Sequence, residues 1–124
     1  MKNYKTVLVI EDDPWFAEHH MRTLRQAGFG AKHAADGISG IEMLDESLPD
    51  AVVLDIFLPG PNGLALLHEI KSYADLSRLP IIACTGSASL APLEKLAPYG
   101  VVDVLDKGVM QPDDVVRAVR RALV

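Results

Sequence analysis

A three-layer α/β fold is the class this sequence predicts, with one parallel five-stranded sheet and helices on both faces. Two observations carry it. Short apolar runs alternate with amphipathic stretches along all 124 residues, the pattern of successive βαβ units. The runs are continuous and rich in β-branched residues, as in Val7–Ile10 and Val52–Leu54, which suits strands buried on both faces. A third observation gives the sheet a working edge: acidic, hydroxyl and amino side chains stand at the ends of four of the runs.

The first strand is Thr6–Ile10. Pro14 opens the first helix, where its missing N–H costs nothing, and Asp13 before it is suited to N-capping. Phe16, Ala17, His20, Met21, Leu24 and Ala27 fall at helical spacing, and Gly28 ends the helix. The second strand, Ala31–Ala35, is polar for a buried strand and belongs at the sheet edge. Asp36-Gly37 turns into a second helix carrying Ile38, Ile41, Leu44 and Leu48, stopped by Pro49. The third strand starts at Ala51 and ends at Asp55. Leu58–Gly63 is a turn by composition, and Asn62 can cap a third helix with apolar positions Leu64, Leu67 and Ile70. The fourth strand is Ile81–Cys84, followed by a short helix from Pro92 to Leu96 that Pro98 limits. The fifth strand is Val101–Leu105. Pro112 opens the last helix, and Val115, Val116, Val119, Ala122 and Leu123 give it one apolar stripe. No repeat, linker or low-complexity segment interrupts the series. Residues 1–124 are therefore read as one domain, a (βα)5 sandwich of flavodoxin-like strand order. The right-handed crossover rule narrows that order without choosing it.

Composition removes several function classes. The apolar fraction of 49% is that of a globular chain. A formal charge of −5 argues against a nucleic-acid-binding surface. The single cysteine, Cys84, permits neither a disulfide framework nor a zinc cluster and points to a reducing compartment. The opening residues resemble no signal peptide, and no apolar run approaches the ~20 residues that span a bilayer. A cytoplasmic protein without membrane contact is expected.

The chemistry lies at the run ends. Asp12 and Asp13 follow the first run, Asp55 the third, Thr85 the fourth and Lys107 the fifth. In a parallel sheet these ends share one edge, where open α/β sheets bind their ligands. Three crowded carboxylates call for a hard cation, and Mg2+ takes oxygen ligands from carboxylates, water and phosphate. Asp55 can be both ligand and nucleophile, since a carboxylate attacking a phosphoryl donor yields an acyl phosphate. Lys107 and Thr85 supply a point charge and a hydroxyl for phosphoryl oxygens. Any one of these residues is more simply a polar strand end; the full set in order is not.

The segments Val9–Asp13, Asp55–Gly63, Thr85–Ser87 and Leu105–Lys107 make the chain resemble, over its whole length, a receiver domain of the two-component response regulators. The resemblance implies that Asp55 is the phosphoacceptor. It implies that Asp12, Asp13, Asp55 and the backbone carbonyl of Phe57 hold Mg2+, with Glu11 set aside, and that Thr85 and Lys107 grip the phosphoryl group. The implied donor is a sensor histidine kinase or histidine phosphotransfer protein. The implied output is a changed surface on helix four, strand five and helix five, meeting a downstream protein, an output domain or a second copy. Such a domain is a switch and assists only its own phosphorylation and dephosphorylation. Two positions depart from the family pattern: Val104 stands where an aromatic is usual, and Gly108 follows Lys107 where a proline in a cis bond is usual. Valine is stiff at χ1 and has little to swing inward.

Rival readings have specific requirements. A haloacid-dehalogenase-type phosphatase would carry its nucleophile on the first strand in an Asp-x-Asp pattern. A flavin binder would have a Ser/Thr/Gly loop there instead of Glu11–Asp13. A docking receiver that is never phosphorylated would not need the complete site. His19, His20, His33 and His68 form no metal-ligand spacing and are expected at the solvated surface, with His19 and His20 pointing apart. Cys84 is expected in the core and Trp15 partly exposed beside the metal site. Arg117, Arg120 and Arg121 sit where cations favour the helix macrodipole, the plainer reading beside a partner or dimer contact through them.

Overall fold

The computed structural model describes residues 3–56, 63–72, 78–86 and 92–124. The elements run β1 (Thr6–Ile10), α1 (Pro14–Gln26), β2 (Gly30–Ala34), α2 (Gly37–Glu46), β3 (Ala51–Asp55), α3 (Gly63–Ser72), β4 (Ile81–Thr85), α4 (Leu93–Leu96), a 3₁₀ turn (Ala97–Tyr99), β5 (Val101–Asp106) and α5 (Asp114–Ala122). All strand pairs are parallel and the order is β2-β1-β3-β4-β5. The polar strand β2 lies at an edge, as its sequence predicts.

The two-residue period of the strands divides the core into two. Leu8, Ile10, Val52, Leu54, Ile81 and Ala83 face Leu44 of α2, Leu66, Leu67 and Ile70 of α3, and Leu96 of α4. Val7, Val9, Val53, Ile82 and Cys84 face Leu24 of α1 and Val115, Val116 and Val119 of α5. Every residue of β3 and β4 is buried, which explains their unbroken apolar runs. Gly40 lets α2 approach β1, because a Cβ there would stand 2.7 Å from Ile10 Cδ1. Gly28, at φ +96°, supplies the left-handed turn after α1.

Several expectations are corrected. α2 stops at Glu46, and Leu48 lies beyond it, 53% exposed. Leu48 precedes Pro49, whose ring disfavours helical backbone at the residue before it. Ile38, placed on the apolar stripe, is 61% exposed. α5 begins at Asp114, not at Pro112, with Asp114 accepting the Gln111 N–H at 2.6 Å. The β4–β5 register slips between Ile81 and Ile82, passing from Val101 directly to Asp103 and leaving Val102 about half exposed. His20 is fully buried on α1, and its ring lies 5.8 Å from that of His19, so the pair neither points apart nor faces water together. Asn62 and Leu58–Pro61 lie outside the described residues, as does the side chain of Leu64.

Candidate functional site

The C-terminal ends of β1, β3, β4 and β5 meet at one rim. β1 delivers Glu11 and Asp12, β3 delivers Asp55, and β5 leads into Lys107. Oxygen atoms of Glu11, Asp12 and Asp55 lie within 4.8 Å of one another. Glu11 is 1% and Asp55 6% exposed, whereas Asp12 is open to solvent. Lys107 Nζ stands 2.6 Å from Glu11 Oε1 and 3.2 Å from Asp55 Oδ2. The Asp55 contact is a hydrogen bond. The Glu11 contact is an ion pair without aligned hydrogen-bond geometry at Oε1. The ammonium also lies 4.6 Å from the centre of the Phe16 ring, a cation–π distance.

One cation thus serves two buried carboxylates, and a third stands beside them. Burial raises the Glu11 carboxyl to about 7, against the lowering effects of Lys107 and the Asp13 N–H, with the Asp55 charge adding to the rise. Burial works against the Lys107 charge too, yet contact with Glu11 and the charges of Glu11 and Asp55 outweigh it and raise its pKa. The two rises have different origins: the lysine faces two anions, whereas Glu11 is raised mainly by its burial, with the Asp55 charge adding to it. Carboxylates crowded in this way fit a hard cation with oxygen ligands. Glu11, Asp12 and Asp55 are the described side chains placed to hold it.

The expectation paired Asp12 with Asp13 and set Glu11 aside. The structure instead groups Glu11 with Asp12 and Asp55. It uses Asp13 Oδ1 to accept the N–H groups of Trp15 at 2.8 Å and Phe16 at 3.3 Å, which caps α1. Three consecutive acids leave open which two face the site; here Asp13 is engaged at the helix cap while Glu11 and Asp12 lie beside Asp55. The local signal was that Glu11 directly follows the last residue of β1. Glu11 is held on every side. Its N–H donates to Ala34 O at 3.0 Å, its Oε2 accepts the Asp13 N–H at 3.1 Å, and its backbone carbonyl lies 2.7 Å from His33 Nε2.

Thr85 is fully buried at the end of β4. Asp55 pairs with Cys84 in register, so Thr85 lies one step further toward the rim. The Lys107 N–H donates to Thr85 O at 2.9 Å, which ties β4 to the lysine. Phe57 lies outside the described residues. Trp15 is 66% exposed and its ring stacks on His19 at 5.5 Å. Val104 is half-buried against the α2–α4 core. The Gly108 N–H donates to Asp106 Oδ1 at 2.8 Å, and no described peptide bond is cis. Arg117 pairs with Asp113 at 2.7 Å and Arg121 with Asp103 at 2.9 Å. The arginines of α5 are thus engaged locally at two of their three positions.

Residues 7–120 match the family described as the response regulator receiver domain. The chain is 38% identical over 103 residues to the transcriptional regulatory protein MalR of Bacillus subtilis, covering 82% of this chain and 43% of that protein. It is 32% identical over 105 residues to the Regulator of RpoS of Escherichia coli, covering 85% of this chain and 31% of that one. It spans less than half the length of either relative. Among solved structures it is similar to the receiver domain of a Pseudomonas aeruginosa sensor histidine kinase, described with a magnesium ion coordinated in its active-site cleft. Identity is 27%, TM-score 0.84, and coverage 97% and 98% of the two chains. The fold also matches chemotaxis protein CheY4 of Vibrio cholerae at TM-score 0.88 and 21% identity, covering 97% and 99%.

Proposed function

The chain belongs to the response regulator receiver domains, and from that membership we propose that Asp55 accepts a phosphoryl group from a phosphohistidine of a sensor histidine kinase or histidine phosphotransfer protein. The observation that carries this reading is Asp55 beside Lys107 in a rim of three carboxylates. An Asp55 carboxylate oxygen attacks phosphorus, the P–N bond breaks, and the imidazole leaves with the bond's electron pair. Glu11, Asp12 and Asp55 would hold Mg2+, and the family resemblance adds the backbone carbonyl of Phe57, which lies outside the described residues. An ion held there would offset charge on phosphoryl oxygens.

Lys107 contacts Asp55 already and turns a donor to a phosphoryl oxygen. Thr85 supplies a hydroxyl to another. Phosphorylation adds nearly two negative charges to a buried floor, and the α4–β5–α5 surface responds as one of two states gains population. That surface meets a downstream protein, an output domain or a second copy. Half-buried Val104 makes its inward movement smaller than an aromatic would. The chain acts on no external substrate. The haloacid-dehalogenase reading is not favoured, since the family match covers nearly the whole chain and the nucleophile follows the third strand. No described helix is long and apolar enough to cross a membrane, in keeping with action in the cytoplasm.

The test is incubation with acetyl phosphate and Mg2+, followed by intact mass and acid-labile phosphate analysis. Uptake of one phosphoryl group, abolished in Asp55→Asn, is expected. No uptake where a known receiver labels, or equal labelling of Asp55→Asn, overturns the proposal.

A further inference from the structure

We infer that His33 is a positioning residue for this site: its Nε2–H holds the Glu11 backbone carbonyl and thereby fixes the peptide plane that leads into Asp12. The inference rests on the reading of Glu11, Asp12 and Asp55 as the metal-holding group.

Glu11 lies where the chain leaves β1 and has not yet entered α1. The β1–β3 ladder ends at Ile10 and Leu54, and the first helical bond of α1 is made to Asp13 O by the Ala17 N–H. The Glu11 carbonyl therefore falls between two ladders, and a backbone acceptor in that position needs a donor from elsewhere. His33 provides it. It sits on edge strand β2 opposite Val9, and its Nε2 reaches past the strand end to Glu11 O at 2.7 Å. The next residue of β2, Ala34, accepts the Glu11 N–H. Two adjacent residues of one strand thus hold both backbone polar groups of the same acid.

The peptide unit is planar. Fixing the direction of the Glu11 carbonyl also fixes the Asp12 nitrogen and Cα, hence the origin of the one solvent-exposed carboxylate in the group. Glu11 and Asp55 are held through Lys107, whereas the placement of Asp12 depends on its backbone. The neutral ε-tautomer and the imidazolium both carry a hydrogen on Nε2, so the bond does not require one charge state of His33.

Two exchanges test this. His33→Val keeps strand propensity and removes the donor. His33→Gln places an amide nitrogen the same number of bonds from the backbone. Each is compared with the unaltered chain by 15N relaxation of the Asp12 and Asp13 amides without metal, then by titration with Mg2+. The valine variant is expected to show faster motion at Asp12 and Mg2+ affinity weaker by roughly three- to tenfold; the glutamine variant should stay near the parent in both. His33→Thr replaces the valine exchange should that variant not fold. Unchanged Asp12 motion, a loosened turn with unchanged Mg2+ affinity, or a glutamine variant as impaired as valine overturns the inference. If the parent binds no Mg2+ but the valine exchange still loosens Asp12, the metal assignment fails and the positioning role stands.

Discussion

Glu11 and Lys107 meet at 2.6 Å in the floor of the rim, both nearly shut off from water. The contact is balanced by a second one, since the same ammonium lies 3.2 Å from Asp55. Removing it leaves two carboxylates buried together, a far costlier change than breaking an exposed pair.

Lys107→Met keeps most of the side-chain volume and deletes the charge. The metal-free protein should lose about 3 kcal/mol of stability, measured by urea unfolding. Saturating Mg2+ should restore a large part of the loss, because it supplies the missing positive charge. An equal loss with and without Mg2+ would contradict the shared-cation account.

The neighbouring acids Asp12 and Asp13 should separate cleanly. Asp13→Ala removes the cap of α1 and should cost about 1 kcal/mol with little change in Mg2+ affinity. Asp12→Ala should weaken Mg2+ binding severalfold with little loss of stability, since its carboxylate is exposed and beside like charges. Calorimetric titration and chemical denaturation of both variants decide it; the reverse pattern would return Asp13 to the metal site.

His20 makes stability depend on pH. Burial, assisted by His19 and Lys107, lowers its pKa from 6.5 to about 4, and neither ring nitrogen has a hydrogen-bond partner. The folded state holds the ring neutral while the unfolded chain protonates it near 6.5. This contribution is fully present above 6.5 and is lost as pH falls toward 4. Near pH 5 the loss is about 2 kcal/mol. Glu11 works in the opposite sense, because its raised pKa favours folding below 4.5 and that advantage fades as pH rises through about 7. The parent's pH dependence is therefore shallower than His20 alone would give. His20→Leu should be more stable than the parent, with a gap that widens by about 2 kcal/mol between pH 7.5 and pH 5. Thermal melts at both values measure it, and a constant gap refutes the buried neutral imidazole.

Trp15, the only tryptophan, reports on the rim through a short chain of rings. Lys107 lies over Phe16, and Phe16 meets Trp15 edge-on at 4.9 Å. Mg2+ with beryllofluoride should shift Trp15 emission as Lys107 turns to the new anion. An unaltered spectrum at saturation argues against that coupling.

The architecture was readable because each buried strand is an uninterrupted apolar run and the helices are amphipathic. The placement of Asp55, Thr85 and Lys107 along one sheet edge was readable because strand ends in a parallel sheet share a side. The remainder depended on contacts that no local pattern encodes. That Glu11 lies beside Asp55 while Asp13 caps α1 required knowing which carboxylate the helix N-terminus takes. His20 has helical spacing suited to the interior, but its polarity argued for the surface; packing overrode it. His33 gains its partner only when β2 pairs with β1, a relation between residues 22 positions apart. The β5 slip at Val102 left no mark in a strand that reads as continuous.

Cys84 lies on the interior strand β4, opposite Asp55, 1% exposed, and burial pushes its thiol up to about 12. Almost no thiolate exists at neutral pH, and no reagent can touch the sulfur while the sheet is closed. Alkylation must wait for β4 to open, so its rate is a built-in clock for that opening. Any ligand that binds the closed sheet at the rim and not the opened one will slow the clock by a factor that grows with its concentration relative to its Kd.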